Sequence, residues 1–142
     1  MLVRLLYASR GNVADDPEAL QTIVRQSRAN NPRLGLTGLL CCADGVFIQV
    51  LEGGRDEVNR MYGRIAADAR HTDVVLLSYE EIDERRFAGW AMGQVDMARL
   101  NPALLLKYSP QPRLDPYALS GKASMALFEE LLATGAIVAD RP

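Results

Sequence analysis

The sequence predicts an α+β fold whose elements run β-α-β-β-α-β-β along the chain. Short runs of β-branched and large apolar residues bounded by turn residues mark the strands, and two stretches with apolar residues at helical spacing lie between them. Beyond residue 96 the pattern changes to prolines and one further amphipathic stretch, so the strand-rich part ends there.

Residues 2–8, LVRLLYA, form the first strand, with Val3, Leu5 and Tyr7 on one face and Arg4 on the other. Asp15, Asp16, Pro17 and Glu18 open a helix, since acids and a proline suit its first turn. Leu20, Ile23, Val24, Ser27 and Asn31 follow i, i+3, i+4, i+7, i+11 spacing and make one stripe of it. Pro32 disfavours helical geometry at Asn31, where the helix is expected to end. Residues 36–43 and 46–52 are strands joined at Asp44-Gly45, a two-residue hairpin signal. Val58, Met61, Tyr62 and Ile65 predict a second helix over residues 54–69. Residues 73–79 (DVVLLSY) and 89–95 (GWAMGQV) supply the fourth and fifth strands. Asn101-Pro102 then begins a short helical turn, and Pro110, Pro112 and Pro116 punctuate a connector. Residues 120–134 make the last helix, with Ser120 as candidate cap, Met125, Phe128, Leu131 and Leu132 as its stripe, and Gly135 as its stop.

This order is that of a ferredoxin-like fold with an added strand: a five-stranded mixed sheet, two helices on one face, and the C-terminal helices covering the other. Residues 1–96 are expected to form the sheet domain and 97–142 a helical extension packed on it. In this topology the first and third strands are central neighbours. Arg4 suits the face away from the helix pair, which turns Tyr7 toward the helices.

Composition narrows the chemistry. The 142 residues carry a net charge of −2 with pI near 5.4, which argues against nucleic acid or an anionic membrane surface as the partner. No apolar run approaches the roughly 18 residues of a membrane span, and the amino terminus has no signal-peptide pattern, so a cytoplasmic location is expected. His71 is the only histidine, no residue set has zinc-ligand spacing, and no metal is expected. GxGxxG after the first strand, GxxxxGK[ST] and GxSxG are all missing. Cys41 and Cys42 lie on a strand without a basic neighbour, so neither redox nor adduct chemistry is expected of them. Asp83, Glu84, Arg85 and Arg86 read as a solvated turn.

One strand raises a question. In VFIQVLEG, residues 46–53, Val46, Phe47, Ile48, Val50 and Leu51 are β-branched or large apolar residues bracketed by Gly45 and Gly53, and Gln49 sits in their middle. A buried amide without partners costs about 1–3 kcal/mol, so Gln49 must bond to something. If Tyr7, Asn31 and Gln49 converge under the two helices, they place a few directed hydrogen bonds in an apolar slot. Such a slot suits a flat heterocycle with polar edges.

The segments LYAS, NNPRLGLTGLL, GVFIQVLEG, DARH and RRFAGWAM, in this order and spacing over residues 2–95, resemble the BLUF domains, blue-light sensors that use flavin. The tail, with LLLKYSP and RLDPYALSGKASMALFEELL, is similar to the helical extension of short, single-domain members. The resemblance implies non-covalent FAD, with FMN or riboflavin as alternatives. It makes Tyr7 the electron and proton donor and Gln49 the bridge between Tyr7 and the flavin. It puts Asn31 and Asn30 on the ring's polar edge and Ile23 and Ile65 on its two faces. Arg64, Asp68, Arg70 and His71 fall near the ribityl chain and phosphate. Trp90 and Met92 become the relay, sharing one face of the fifth strand, with Ala91 between them where other members can carry a polar residue. A switch rather than an enzyme with turnover is implied. It acts on a separate effector, response-regulator-like or a cyclic-di-GMP phosphodiesterase, and short members tend to form homo-oligomers. The competing readings are a flavin-free interaction module and a small flavin-dependent oxidoreductase, for which the chain supplies no substrate-side acid or base.

Overall fold

A computed structural model describes residues 1–11, 16–96 and 100–134, and the backbone of 137–138. The strands are β1 (Leu2–Arg10), β2 (Thr37–Ala43), β3 (Val46–Gly54), β4 (Thr72–Ile82), β5 (Gly93–Val95) and β6 (Ile137–Val138). The helices are α1 (Pro17–Leu34), α2 (Arg55–Ala67), α3 (Pro102–Tyr108) and α4 (Gly121–Thr134). The sheet order is β4-β1-β3-β2-β5-β6. β1 runs antiparallel to β3 and β4, β2 is antiparallel to β3, and β5 lies parallel to β2. The five expected strands thus form the mixed ferredoxin-like sheet, and the two-residue β6 extends its edge.

Asp44 and Gly45 turn the β2–β3 hairpin with φ of 53° and 75°, the left-handed pair that such a two-residue turn needs. Asp16 caps α1 through Oδ1, which accepts from the Glu18 and Ala19 amides at 3.1 and 3.2 Å; Asp15 lies outside the described residues. Asn101 caps α3 in the same way, and Ser120 Oγ accepts from the Ala123 amide at 3.0 Å to start α4. Gly135, the expected stop of α4, lies outside the described residues.

Three expectations are corrected. α1 does not end at Asn31 but runs to Leu34 with Pro32 inside it. Pro32 takes its own N–H out of the last turn and its ring crowds the carbonyl four residues back, so the helix end has a penalty to offset. The stop is Gly35 at φ 68°, whose amide donates to the Pro32 carbonyl while Leu36 donates to Asn31 at 2.9 Å, a Schellman closure. The fifth strand is not 89–95: only Gly93–Val95 is extended, and Trp90 and Met92 precede it in irregular chain. Arg85 and Arg86 do not form a merely solvated turn. Arg85 donates to the Gly35 carbonyl at 2.7 Å and to Thr37 Oγ1 at 3.0 Å, and the Arg86 amide is tied to Glu52.

The core divides across the sheet. On one face Leu6, Ile48 and Val50 pack with Leu105, Leu114, Leu127, Phe128 and Leu131, so α3, α4 and their connector cover it. On the other face α1 and α2 lie over Val3, Leu5, Tyr7, Phe47 and Leu51.

Candidate functional site

Between α1, α2 and the sheet is a cavity of about 290 Å³. Alternation along the strands decides what faces it. Tyr7 comes from β1, Leu40 from β2, and Phe47, Gln49 and Leu51, two residues apart, from β3. α1 supplies Ile23, Gln26, Ser27, Asn30 and Asn31, and α2 supplies Met61, Arg64 and Ile65. Asp68, Arg70 and His71 follow α2, and Met92 closes the end beside β5.

Tyr7 and Gln49 are direct cross-strand partners in the β1–β3 ladder. The Tyr7 hydroxyl donates to Gln49 Oε1, and Gln49 Nε2 donates to Met92 Sδ at 3.3 Å. Only 1% of Tyr7 and 7% of Gln49 is exposed, so burial drives the phenol pKa well above its ordinary value and keeps it protonated. The amide thus has two protein partners and keeps one N–H and one lone pair for whatever occupies the cavity. Asn31, 2% exposed, donates from Nδ2 to the Ala91 carbonyl at 2.6 Å, leaving a second N–H and its own carbonyl. Asn30 lies toward solvent, where its carbonyl accepts from Arg33 at 2.6 Å.

At the mouth, the Arg70 guanidinium sits 2.6 Å from Asp68 and holds that carboxyl down at about 2. His71 Nδ1 is 2.8 Å from Ser9 Oγ, with the ring 5.0 Å from that of Phe47; burial lowers its pKa. Burial pushes the Cys41 thiol up to about 12 and raises Cys42 as well, which disfavours thiolate at either. Among the described residues there is no cluster of three metal-ligating side chains.

The structure therefore gathers Tyr7, Ile23, Asn30, Asn31, Gln49, Arg64, Ile65, Asp68, Arg70, His71 and Met92 around one space. Trp90 is not among them. The strand reading put Trp90 and Met92 on one face, but they lie on opposite faces: Met92 packs with the cavity-side core, Trp90 with the core under α4. The chain bends between them, and Gly93 makes room, since a Cβ there would meet Leu39 Cδ2 at 2.6 Å and Trp90 Cδ1 at 2.8 Å. Sequence reasoning did not assign Phe47 and Leu51 to the site, although their i±2 spacing from Gln49 marks the same face. Met61, one turn before Ile65, and Gln26, at i+3 from Ile23 and i−4 from Asn30, carried a similar signal, and the two-residue Asp44-Gly45 turn sets Leu40 opposite Gln49.

The arrangement offers apolar side chains from two facing helices, directed amides on the floor, and charges at the mouth. A flat ring with a polar edge and an outward-reaching anionic tail fits that chemistry, and the volume lies near the low end of the roughly 300–1,000 Å³ typical of ligand pockets.

Comparison with known proteins points the same way. The family profile for BLUF, "Sensors of blue-light using FAD", matches residues 2–93. A photoactivated adenylate cyclase subunit beta of Euglena longa is 36% identical over 92 residues, 64% of this chain and 11% of that protein. The blue light- and temperature-regulated antirepressor of Escherichia coli K12 is 30% identical over 99 residues, 68% of this chain and 24% of that protein. The chain thus spans between about a tenth and a quarter of these relatives' lengths. Among solved structures, BlsA in its photo-activated state superposes with a TM-score of 0.83 at 30% identity, covering 100% of this chain and 99% of that one. BlrB in its dark state gives 0.74 at 33% identity, covering 94% and 96%.

Proposed function

This chain belongs to the BLUF family, sensors of blue light that use FAD, and we propose that it is a photoreceptor switched by Tyr7 and Gln49 and read by a separate effector protein. One observation carries this: the hydrogen-bonded series Tyr7–Gln49–Met92 on the floor of the cavity. The flavin-binding part is residues 1–96, and residues 97–142 are the extension through which the state leaves the sheet.

Ile23 and Ile65 would clamp the ring faces, Asn31, Asn30 and Gln49 would hold its polar edge, and Arg64, Asp68, Arg70 and His71 would take the ribityl chain and phosphate. FAD is the expected form. When bound, the flavin supplies blue-light absorption and an electron-accepting ring. Tyr7 is a neutral phenol, and losing an electron makes its hydroxyl strongly acidic. Its proton already points at Gln49 Oε1, which takes it. When electron and proton return to Tyr7, the amide is left rotated or tautomerised. Its donor and acceptor toward the cavity are then exchanged, and Met92 Sδ loses its N–H partner. A stronger donation from Gln49 into the cavity moves the absorption slightly red. No covalent bond to the protein forms, so recovery is thermal and there is no turnover.

The relatives named as photoactivated adenylate cyclases join similar sequence to an output activity, and a BlrP1 structure holds cyclic di-GMP. This chain passes its state in trans, to a response-regulator-like protein or a cyclic-di-GMP phosphodiesterase, and assembles as a homo-oligomer. No helix among the described residues is long and apolar enough to cross a membrane.

Absorption spectra of the purified protein before and after blue light test this. A flavin spectrum that shifts slightly red and relaxes in darkness, with the shift lost in Gln49→Leu that still holds flavin, supports it. A colourless protein that takes up no added flavin points instead to an interaction module, and a flavin that only bleaches points to an oxidoreductase.

A further inference from the structure

Met92 can report on Gln49 only if something fixes its position, and β5 does not. The ladder with β2 starts at Gly93, so residues 90–92 have no strand pairing of their own. Their three consecutive carbonyls are held individually instead. The Gly38 amide donates to Trp90 at 3.0 Å, Asn31 Nδ2 to Ala91 at 2.6 Å, and Arg28 Nε to Met92 at 3.1 Å. Arg28 and Asn31 are i and i+3 on α1, so they face the segment together. On the upstream side the Arg86 and Phe87 amides are pinned to Glu52 at 2.9 and 2.8 Å. Arg28 is half-buried, and its bond to the Met92 carbonyl is charge-assisted, among the stronger kinds a side chain makes to backbone.

Resting on the photoreceptor reading above, we infer that Arg28 is a positioning residue of the switch: by holding the Met92 carbonyl it keeps Met92 Sδ in the path of the Gln49 N–H and so favours the dark arrangement. Arg28 does not line the cavity. It acts on the recovery of the switch through Met92 and leaves the light reaction to Tyr7 and Gln49. Without the latch, the dark arrangement is less favoured, and return to it slows.

The test is dark-recovery kinetics of the flavin-loaded protein in a double-mutant cycle. Arg28→Met keeps the aliphatic stem and loses the donor; Arg28→Lys keeps a donor at shorter reach. We expect Arg28→Met to retain the red shift but to recover at least about threefold more slowly, the scale of one lost hydrogen bond. Arg28→Lys should lie nearer the wild type. In a Met92→Ala background, which has no sulfur to position, Arg28→Met should change recovery no further. Wild-type recovery in Arg28→Met, or an equal slowing in both backgrounds, overturns the assignment. If Arg28→Met does not hold flavin, the same cycle is read with Arg28→Lys: coupling to Met92 supports the role, and additivity overturns it. A wild type that binds flavin without any red shift would instead sink the photoreceptor reading itself.

Discussion

On the face of β1 and β3 that packs against α4, Glu52 is 0% exposed and receives Arg4 together with the Arg86 and Phe87 amides, all from the protein. On the opposite face of the same strands, Gln49 is almost as buried, yet its amide finds one tyrosine and one sulfur and keeps bonding capacity turned to a cavity. Glu52 and Gln49 are three residues apart, and alternation alone sends them to opposite sides. One polar residue closes a structure; the other is left open to a ligand. The difference is whether the protein itself supplies the partners.

Glu52→Ala should break the closed side most. It leaves the buried Arg4 guanidinium with only the half-exposed Glu80, and two amides with none, at a cost of about 3–5 kcal/mol in urea unfolding. A loss under about 1 kcal/mol would mean that the network is not a structural anchor.

Gln49→Leu should cost the flavin-free protein far less, below about 1.5 kcal/mol, because the Tyr7 hydroxyl then faces a cavity roomy enough for water. Equal losses at 49 and 52 would erase the contrast between the two faces.

The smallest effect concerns pH at the cavity mouth. Burial lowers His71 below its ordinary 6.5, so the unfolded chain takes up a proton that the folded one refuses. Stability is therefore whole above pH 6.5 and falls as the pH drops below it. Asp68 is depressed from 3.8 to about 2 by Arg70, so its contribution is present above pH 3.8 and is lost as the pH falls toward 2. Unfolding of His71→Gln across pH 7 to 5 should be flatter than in the wild type, with the limb below pH 4 retained. Identical slopes in the two proteins would remove His71 from the account.

Local patterns were enough for most of the fold and for the floor of the site. Period-2 alternation put Tyr7 toward the helices, the Asp44-Gly45 turn set the β2–β3 register, and the α1 stripe carried Ile23 and Asn31 to one side. These are properties of a few adjacent residues, and the sequence by itself determined them. The end of α1, the length of β5 and the separation of Trp90 from Met92 were decided elsewhere. A Schellman closure at Gly35 outweighed the penalty that Pro32 imposes. Trp90 and Met92 look like same-face strand residues only if a ladder holds them. Their carbonyls bond instead to Gly38, Asn31 and Arg28, residues 52–64 positions away in the chain. No local periodicity encodes such bonds, because their donors meet the segment only after the sheet and α1 have packed.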